Sequence, residues 1–456
     1  MKKQLLSLLL LLCCSISLYA HKQHMLQKIT NHNIQFIRCF FTDLVAHLKE
    51  IMIPAQHIEN AIDEGLYFDG SSIPGFTNIY ESDMHLTLDT NTFRSVPTCD
   101  GNVGVVICDN GYGPGKPYDA CPRNVLKQTM QKAAHLGYGL YVGLEIEFFL
   151  FDNNTKATCD TLGYCDREPC PLRAAQKRSL LQTLQQYGVD AVKLHHEVAS
   201  GQHEIVINHH NPLVVADQII LAKHAIREWA SQNNLDATFM PKPIFGQNGS
   251  GMHIHFSLCD INTGTNLFYD PYNSCGLSQT AYQFIAGVLK HIRELDAIFN
   301  STINSFKRLV PGYEAPTYVC WANKNRSALI RIPEFDHDCG AAARAELRCP
   351  DALCNPYLAF TALLEAGLAG IQYQEIIPDA IEQNLYRLSP DEICTYGIQT
   401  LPTSLQHALD LFEASTFVQA IFSQRLRSEF LKAKNNEISL FNRIVTDWEL
   451  KRYHHS

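Results

Sequence analysis

The stretch 242–257, KPIFGQNGSGMHIHFS, constrains this chain more than any other. A Lys-Pro break leads through a glycine-rich turn at 248–251 into an alternating run. Side chains alternate faces along a strand, so His253, His255 and Ser257 point one way and Met252, Ile254, Phe256 and Leu258 the other. One face suits a packed core. The other offers two imidazoles and a hydroxyl beside a loop whose glycines let backbone approach a ligand closely. A half-buried strand with two surface histidines fits the same letters, so the reading depends on what converges with it.

Other strands repeat the design. In 140–151 (LYVGLEIEFFLF), Glu145 and Glu147 leave one face and Leu144, Ile146, Phe148 and Leu150 the other. Paired carboxylates in an apolar strand repel and lose hydration unless a cation or basic side chains compensate them. Arg344, Glu346 and Arg348 alternate with Ala345 and Leu347, consistent with an ion-pair ladder or with guanidinium forks that grip phosphate and carboxylate. Between these strands, HHEVASGQHE supplies Glu197 and Glu204. Five carboxylates and a histidine on one sheet suit two or three hard divalent cations. Adjacent arginines suit phosphoryl transfer, where positioning and charge neutralisation dominate. A two-metal hydrolase is the rival chemistry.

Composition narrows the class. The chain of 456 residues has a formal net charge of −9 and no basic patch, which argues against a nucleic-acid binder. Its length allows two or more domains. Strand-like runs over 24–53, a turn-rich FDGSS at 68–72 and a strand at 103–108 suggest a small β-rich N-terminal domain. GYGPGKP at 111–117 reads as linker, and a helix over 123–136 opens the second domain. Pro212 behind Asn211 marks a helix start, and 277–300 carries helical apolar spacing. KRLVPGYEAP reads as a basic strand end and loop, and 377–390 as a mobile segment. No internal run is long enough for a membrane span. Of the sixteen cysteines, none forms a CxxC pair, and the groups 159/165/170 and 349/354 lack zinc-site spacing. They read as thiols in a reducing compartment; for an exported protein, the 159–170 group is where a bridge is expected.

Residues 1–20 differ. Lys2 and Lys3 precede an apolar stretch, and the segment closes at Leu18-Tyr19-Ala20. That is the shape of a secretory signal peptide.

The ordered set FDGSS, ExE, HHEVASGQHE, KPIFGQNGSGMHIHFS, KRLVPGYEAP, NRSALIRIP, RAELR and PDALCNPYLAF resembles type I glutamine synthetases of the short bacterial form, from about residue 24 to the C-terminus. The resemblance implies an α+β fold: an N-terminal β-grasp-like domain over 24–115, and a catalytic domain over 120–456 with a curved antiparallel sheet backed by helices. It implies ATP-dependent ligation of ammonia to L-glutamate. It assigns one metal to Glu145, His253 and Glu346, and another to Glu147, Glu197 and Glu204, with two to three Mg²⁺ or Mn²⁺ per site. Asn248, Gly249, Arg308 and Arg348, with Glu314 and Arg326, would bind glutamate. His255, Ser257, Arg326, Arg331 and Arg344 would bind ATP. Asp69, from a neighbouring subunit of a dodecamer of two hexameric rings, would take a proton from ammonium. Glu314 would sit on a flap over the intermediate, and Arg326 would join these two in catalysis. No nucleic acid or membrane partner is expected.

Some positions depart from the family. Where the family often has acidic residues shortly before HHE, 189–193 reads VDAVK, which weakens one ATP-side contact, and 163–166 replaces an aromatic, proline-rich loop, which weakens a role for Tyr164 near ammonia. Asn78 stands where some short forms carry a feedback-linked arginine. Tyr386 lies in NLYRLSP, similar to an adenylylation loop, but the long form's insertion is missing and no adenylylation is expected. ATP and ammonium chemistry point to the cytoplasm, with export the alternative that residues 1–20 raise. Two functional rivals stand: a glutamate–amine (γ-glutamylamide) ligase of the same superfamily, and a non-catalytic exported relative.

Overall fold

The structure is a computed structural model; it describes residues 20–454 except Pro74, Asn78, His337 and Asp338. Apart from Ala20, the signal-like segment lies outside the described residues, as does Asn78.

The described chain starts with a helix to residue 31, where the sequence had suggested strand. Met25 and Ile29, four apart, are buried, the spacing of one helix face. Strands β1 (Phe36–Thr42), β2 (Leu48–Pro54), β3 (Leu66–Asp69), β4 (Asp83–Thr98) and β5 (Gly101–Gly113) form a mixed sheet in the order β2-β1-β5-β4-β3. Only β1 and β5 pair in parallel along this path. The 111–117 stretch is not a free linker: Gly111 and Gly113 end β5 and pair with Pro117 and Lys116. Helix α1 (Pro122–His135) follows, then the long β6 (Tyr138–Asp152), α2 (Pro171–Gln186), the hairpin β7 (Ala191–His196) and β8 (Gln202–His210), and α3 (Pro212–Gln232). The start of α3 is written in the sequence, with Pro212 at its first turn and the Asn211 side chain accepting from Val214 N. Strand β9 (Met252–Asp260) and α4 (Gln279–Phe299) come next, then the short strands β10 (Trp321–Asn323), β11 (Ile330–Ile332) and β12 (Ala345–Leu347), and α5 (Pro356–Gln372).

Two compact units result. The first comprises residues 1–128 and 150–237, the second 129–149 and 238–456. In the first, Arg123 is buried and gathers three carboxylates: Asp89 and Asp109 from β4 and β5, and Asp217 from α3. In the second, β6, β9, β12, β11 and β10 lie side by side, antiparallel except for β10 with β11. Helix α4, capped by Ser278, and α5, capped by Asn355, are buried along most of their length. The molecule is α+β, as expected. Among the described residues no helix is long and apolar enough to cross a membrane, and the fourteen described cysteines are free thiols.

Candidate active site

Register brings the polar faces together in the second unit. His253 on β9 sits opposite Glu145 on β6, and His255 opposite Glu346 on β12, which in turn faces Arg331 on β11. Glu145 accepts from both imidazoles, His253 Nδ1 at 3.1 Å and His255 Nε2 at 3.2 Å. His253 Nδ1 also lies 3.7 Å from Glu346 Oε1. Ligating atoms of Glu145, His253 and Glu346 fall within 4.8 Å of one another. Burial opposes the charge on Glu145, yet the two imidazole hydrogen bonds outweigh it and hold the carboxyl far below its usual range. Glu346 is fully buried, and there too burial is overcome, chiefly by Arg348. Arg348 Nη1 donates to Glu346 Oε1 at 2.9 Å and Arg331 Nη1 to Oε2 at 2.7 Å.

The glycine-rich turn is built around Arg308. Its guanidinium donates to the carbonyls of Cys349 at 2.6 Å and Arg348 at 3.1 Å. A Cβ on Gly251 would stand 2.5 Å from Arg308 Nη2 and 2.9 Å from His253 Nε2, so any larger residue there would displace these two side chains. Gly251 N donates to Glu147 Oε2 at 2.9 Å. Arg308 ends a short helix, Ser305–Arg308, and not a strand, because the Ser305 hydroxyl accepts from Thr302 N and ties the turn that begins it.

A cavity of about 590 Å³ in this unit is lined by Glu314, Arg326, Ser327, Arg348 and Tyr386, among others. Asn248 Nδ2 donates to Glu314 Oε2 at 3.1 Å. Glu314 has φ 57, a left-handed conformation uncommon outside glycine and worth a functional explanation. Tyr386 OH donates to Ala315 O at 3.3 Å. The sequence singled out Tyr386 for a different reason and did not foresee this contact. Nor is 377–390 loose: Trp321 Nε1 donates to Pro378 O at 2.7 Å, Asn325 Nδ2 to Ile381 O at 3.1 Å, and Leu385 is fully buried. Arg344, which donates to Ala342 O, and Ser257 are both half-buried.

In the first unit, His195, Glu197 and Glu204 form another ligating group. His195 Nε2 lies 3.1 Å from Glu197 Oε1 and 3.7 Å from Glu204 Oε1. Tyr164 meets the His195 ring edge-on at 5.4 Å between centroids. Asp69 is exposed at the end of β3; hydrogen bonds from the Ser71 and Ser72 hydroxyls and Ser71 N lower its carboxyl below the usual value.

The donor sets fit a divalent cation. Each unit offers two carboxylates and an imidazole converging on one point, the oxygen-rich mixture that Mg²⁺ or Mn²⁺ takes. Beside the second unit's set, Arg331 Nε, Arg348 Nε and His255 Nδ1 are buried without a hydrogen-bond partner. The two arginine Nε atoms are donors that an anionic ligand would satisfy.

Comparison with known proteins gives this geometry its class. Residues 119–453 match the model of the glutamine synthetase catalytic domain, and residues 33–110 that of the glutamine synthetase β-grasp domain. The glutamine synthetase of Halobacterium salinarum is 42% identical over 447 residues, covering 96% of this chain and 98% of the relative. That of Thermus thermophilus is 41% identical over 443 residues, covering 95% and 98%. Among solved structures, Plasmodium falciparum glutamine synthetase superposes with a TM-score of 0.84 at 25% identity, covering 95% of this chain and 98% of that one. A structure described as a GmaS/ADP complex superposes at 0.86 with 28% identity, covering 95% and 99%. The protein is thus an enzyme, a ligase. The chain belongs to the glutamine synthetase family.

Proposed function

We propose that the protein joins ammonia to L-glutamate with ATP, through γ-glutamyl phosphate, to give L-glutamine, ADP and phosphate. The observation that carries this reading is the Glu145–His253–Glu346 cluster with Arg331 and Arg348 on the buried Glu346. It unites a cation site with guanidinium groups suited to phosphate.

Glu145, His253 and Glu346 would hold one divalent cation, and Glu147, Glu197 and Glu204 another, with Mg²⁺ or Mn²⁺ at two to three per site. Bound cations neutralise the phosphate oxygens. Arg331, Arg344, His255 and Ser257 orient ATP. Asn248, Gly249, Arg308 and Arg348 hold glutamate so that its γ-carboxylate attacks the terminal phosphate. Arg326, on the cavity wall, contacts both substrates as charge moves between them. Asp69, its carboxylate kept ionised by its serine hydrogen bonds, reaches a neighbouring subunit's site and takes a proton from ammonium. The amine then attacks the acyl phosphate. Glu314, on the segment 311–316, excludes water that would hydrolyse this anhydride and accepts the last proton.

The remaining parts of the reading rest on the family resemblance. The domains run over 24–115 and 120–456, the chain assembles as a dodecamer of two hexameric rings, it works in the cytoplasm, and Tyr386 is not adenylylated. The test is ATP turnover by residues 21–456 with glutamate and Mg²⁺, comparing ammonium with a panel of amines and Glu147→Gln as control. Glutamine made with ammonium and lost in the control is the expected result. Turnover with an amine alone transfers the reading to γ-glutamylamide ligation.

A further inference from the structure

The β7–β8 hairpin has two chemical faces. His195 pairs with Glu204, and His196 with His203. Alternation along each strand sends these pairs to opposite sides. His195 and Glu204 join Glu197 in the site described above. His196 and His203 lie on the other face, both buried, with rings 4.9 Å apart.

Asp160, from the irregular segment after β6, meets this second pair. Its Oδ1 lies 2.8 Å from His196 Nε2 and accepts Gly201 N at 3.0 Å. Ligating atoms of Asp160, His196 and His203 fall within 4.8 Å of one another. His196 Nδ1 is 2.6 Å from Glu197 O, and His203 Nδ1 is 3.2 Å from Gly201 O. A carbonyl only accepts, so both Nδ1 atoms carry protons. In each neutral imidazole the lone pair then falls on Nε2. Backbone carbonyls orient metal-ligating histidines in this way. A lone pair on His196 Nε2 against a carboxylate oxygen is repulsive unless a proton or a cation lies between.

A second observation concerns the space beside Asp160 and His203. Cys159, Asp160, Glu168 and His203 line a narrow cavity of about 30 Å³, with Arg173 and Lys177 also on its wall. The Glu168 side chain is 8% exposed, and its Oε2 makes no hydrogen bond but forms an ion pair with Lys177 Nζ at 3.4 Å. Cys159 Sγ stands 3.4 Å from Asp160 Oδ2. Cysteine spacing alone rejects a zinc site here because only Cys159 of these groups is a cysteine; Asp160 is its chain neighbour and the two histidines come from the hairpin.

We propose that Asp160, His196 and His203, with the Cys159 thiolate as fourth ligand, form a structural zinc site on the face of the hairpin opposite Glu204. Two imidazoles, a carboxylate and a thiolate are a tetrahedral zinc set. Cys159 gives its proton to solvent on binding. The carboxylate and thiolate then cancel the ion's charge, and Glu168 remains to offset Lys177. The metal fastens the segment around Cys159 to the loop 198–201, which separates Glu197 from Glu204, and so sets where those two carboxylates stand.

The test uses the full chain, loaded with Zn²⁺ or Co²⁺ and dialysed against excess Mg²⁺ to clear the oxygen-rich clusters. Bound metal is then counted by mass spectrometry. We expect one retained zinc per chain. Retention should weaken about ten- to hundredfold in His203→Gln and be unchanged in Glu346→Gln. With Co²⁺, a near-ultraviolet thiolate-to-metal band should be present in the parent protein and missing in Cys159→Ser, a mild change that keeps the readout if His203→Gln does not fold. Failure to retain zinc overturns the proposal, as does zinc lost in Glu346→Gln but kept in Cys159→Ser.

Discussion

Two buried charge clusters, one in each unit, use the same groups to opposite ends. Around Arg123 every guanidinium nitrogen donates to a carboxylate: Nε and Nη2 to Asp217 at 2.9 and 2.8 Å, Nη1 to Asp109 at 2.8 Å, and Nη2 also to Asp89 at 2.8 Å. Lys127 adds a second cation beside Asp109. Around Glu346 each carboxylate oxygen accepts from an arginine, but the arginines are not fully paired: among the described residues Arg331 Nε and Arg348 Nε are buried donors without hydrogen-bond partners. A cluster whose hydrogen bonds all close within the protein can only stabilise it. A cluster that keeps donors in reserve gives up stability for binding capacity.

The sharpest way to break this contrast is Arg123→Ala. Removing the guanidinium that the three carboxylates share should cost about 3–5 kcal/mol of stability, read by denaturant unfolding, while molecules that remain folded keep their turnover per site. Loss of turnover in fully folded protein would erase the distinction. Glu145→Gln should do the reverse. Glutamine formation should fall about a hundredfold or more, with unfolding almost unmoved because Glu145 is half-buried and retains its histidine neighbours as hydrogen-bond partners.

Asp296 on α4 sharpens the comparison as a carboxylate with a hydrogen bond from Asn300 at 2.7 Å but no ion pair. Burial pushes its carboxyl up to about 8. The folded state therefore holds a proton that the unfolded chain releases near pH 4. Its stabilising contribution is complete below about pH 4 and is lost as pH rises toward 8, at about 1.4 kcal/mol per pH unit. Asp296→Asn should flatten that slope between pH 5 and 8, and an unchanged slope would assign the dependence elsewhere. The smallest effect expected is from Tyr386→Phe. Losing the hydrogen bond to Ala315 O should cost about 1 kcal/mol, seen as about a fivefold rise in KM for glutamate with kcat nearly intact.

The sequence disclosed period better than partnership. Alternation alone put Glu145 with Glu147 and His253 with His255, and those pairs do share faces. It carried no information that His253 would stand opposite Glu145, or His255 opposite Glu346, because a two-residue period is blind to which strand lies alongside. The Arg123 cluster was invisible for the same reason, its acids lying at 89, 109 and 217. Helix 20–31 was missed because Met25 and Ile29 are its buried pair within a polar, histidine-rich stretch. The 377–390 segment looked loose because its anchors, Trp321 and Asn325, are remote in sequence.

The hairpin loop 197–201 has a final consequence. Gly201 has φ 70, and a Cβ there would stand 2.9 Å from Leu150 O and from Thr158 Cβ, so the turn tolerates little variation in shape. Because neighbouring residues on each strand face opposite ways, the loop's length works as a reading frame for chemistry. One residue inserted or removed would bring His203 to the side of Glu204 and send the acid inward. A change of two residues keeps the parity. Descent with modification at this loop is therefore a question of odd and even before it is one of residue type.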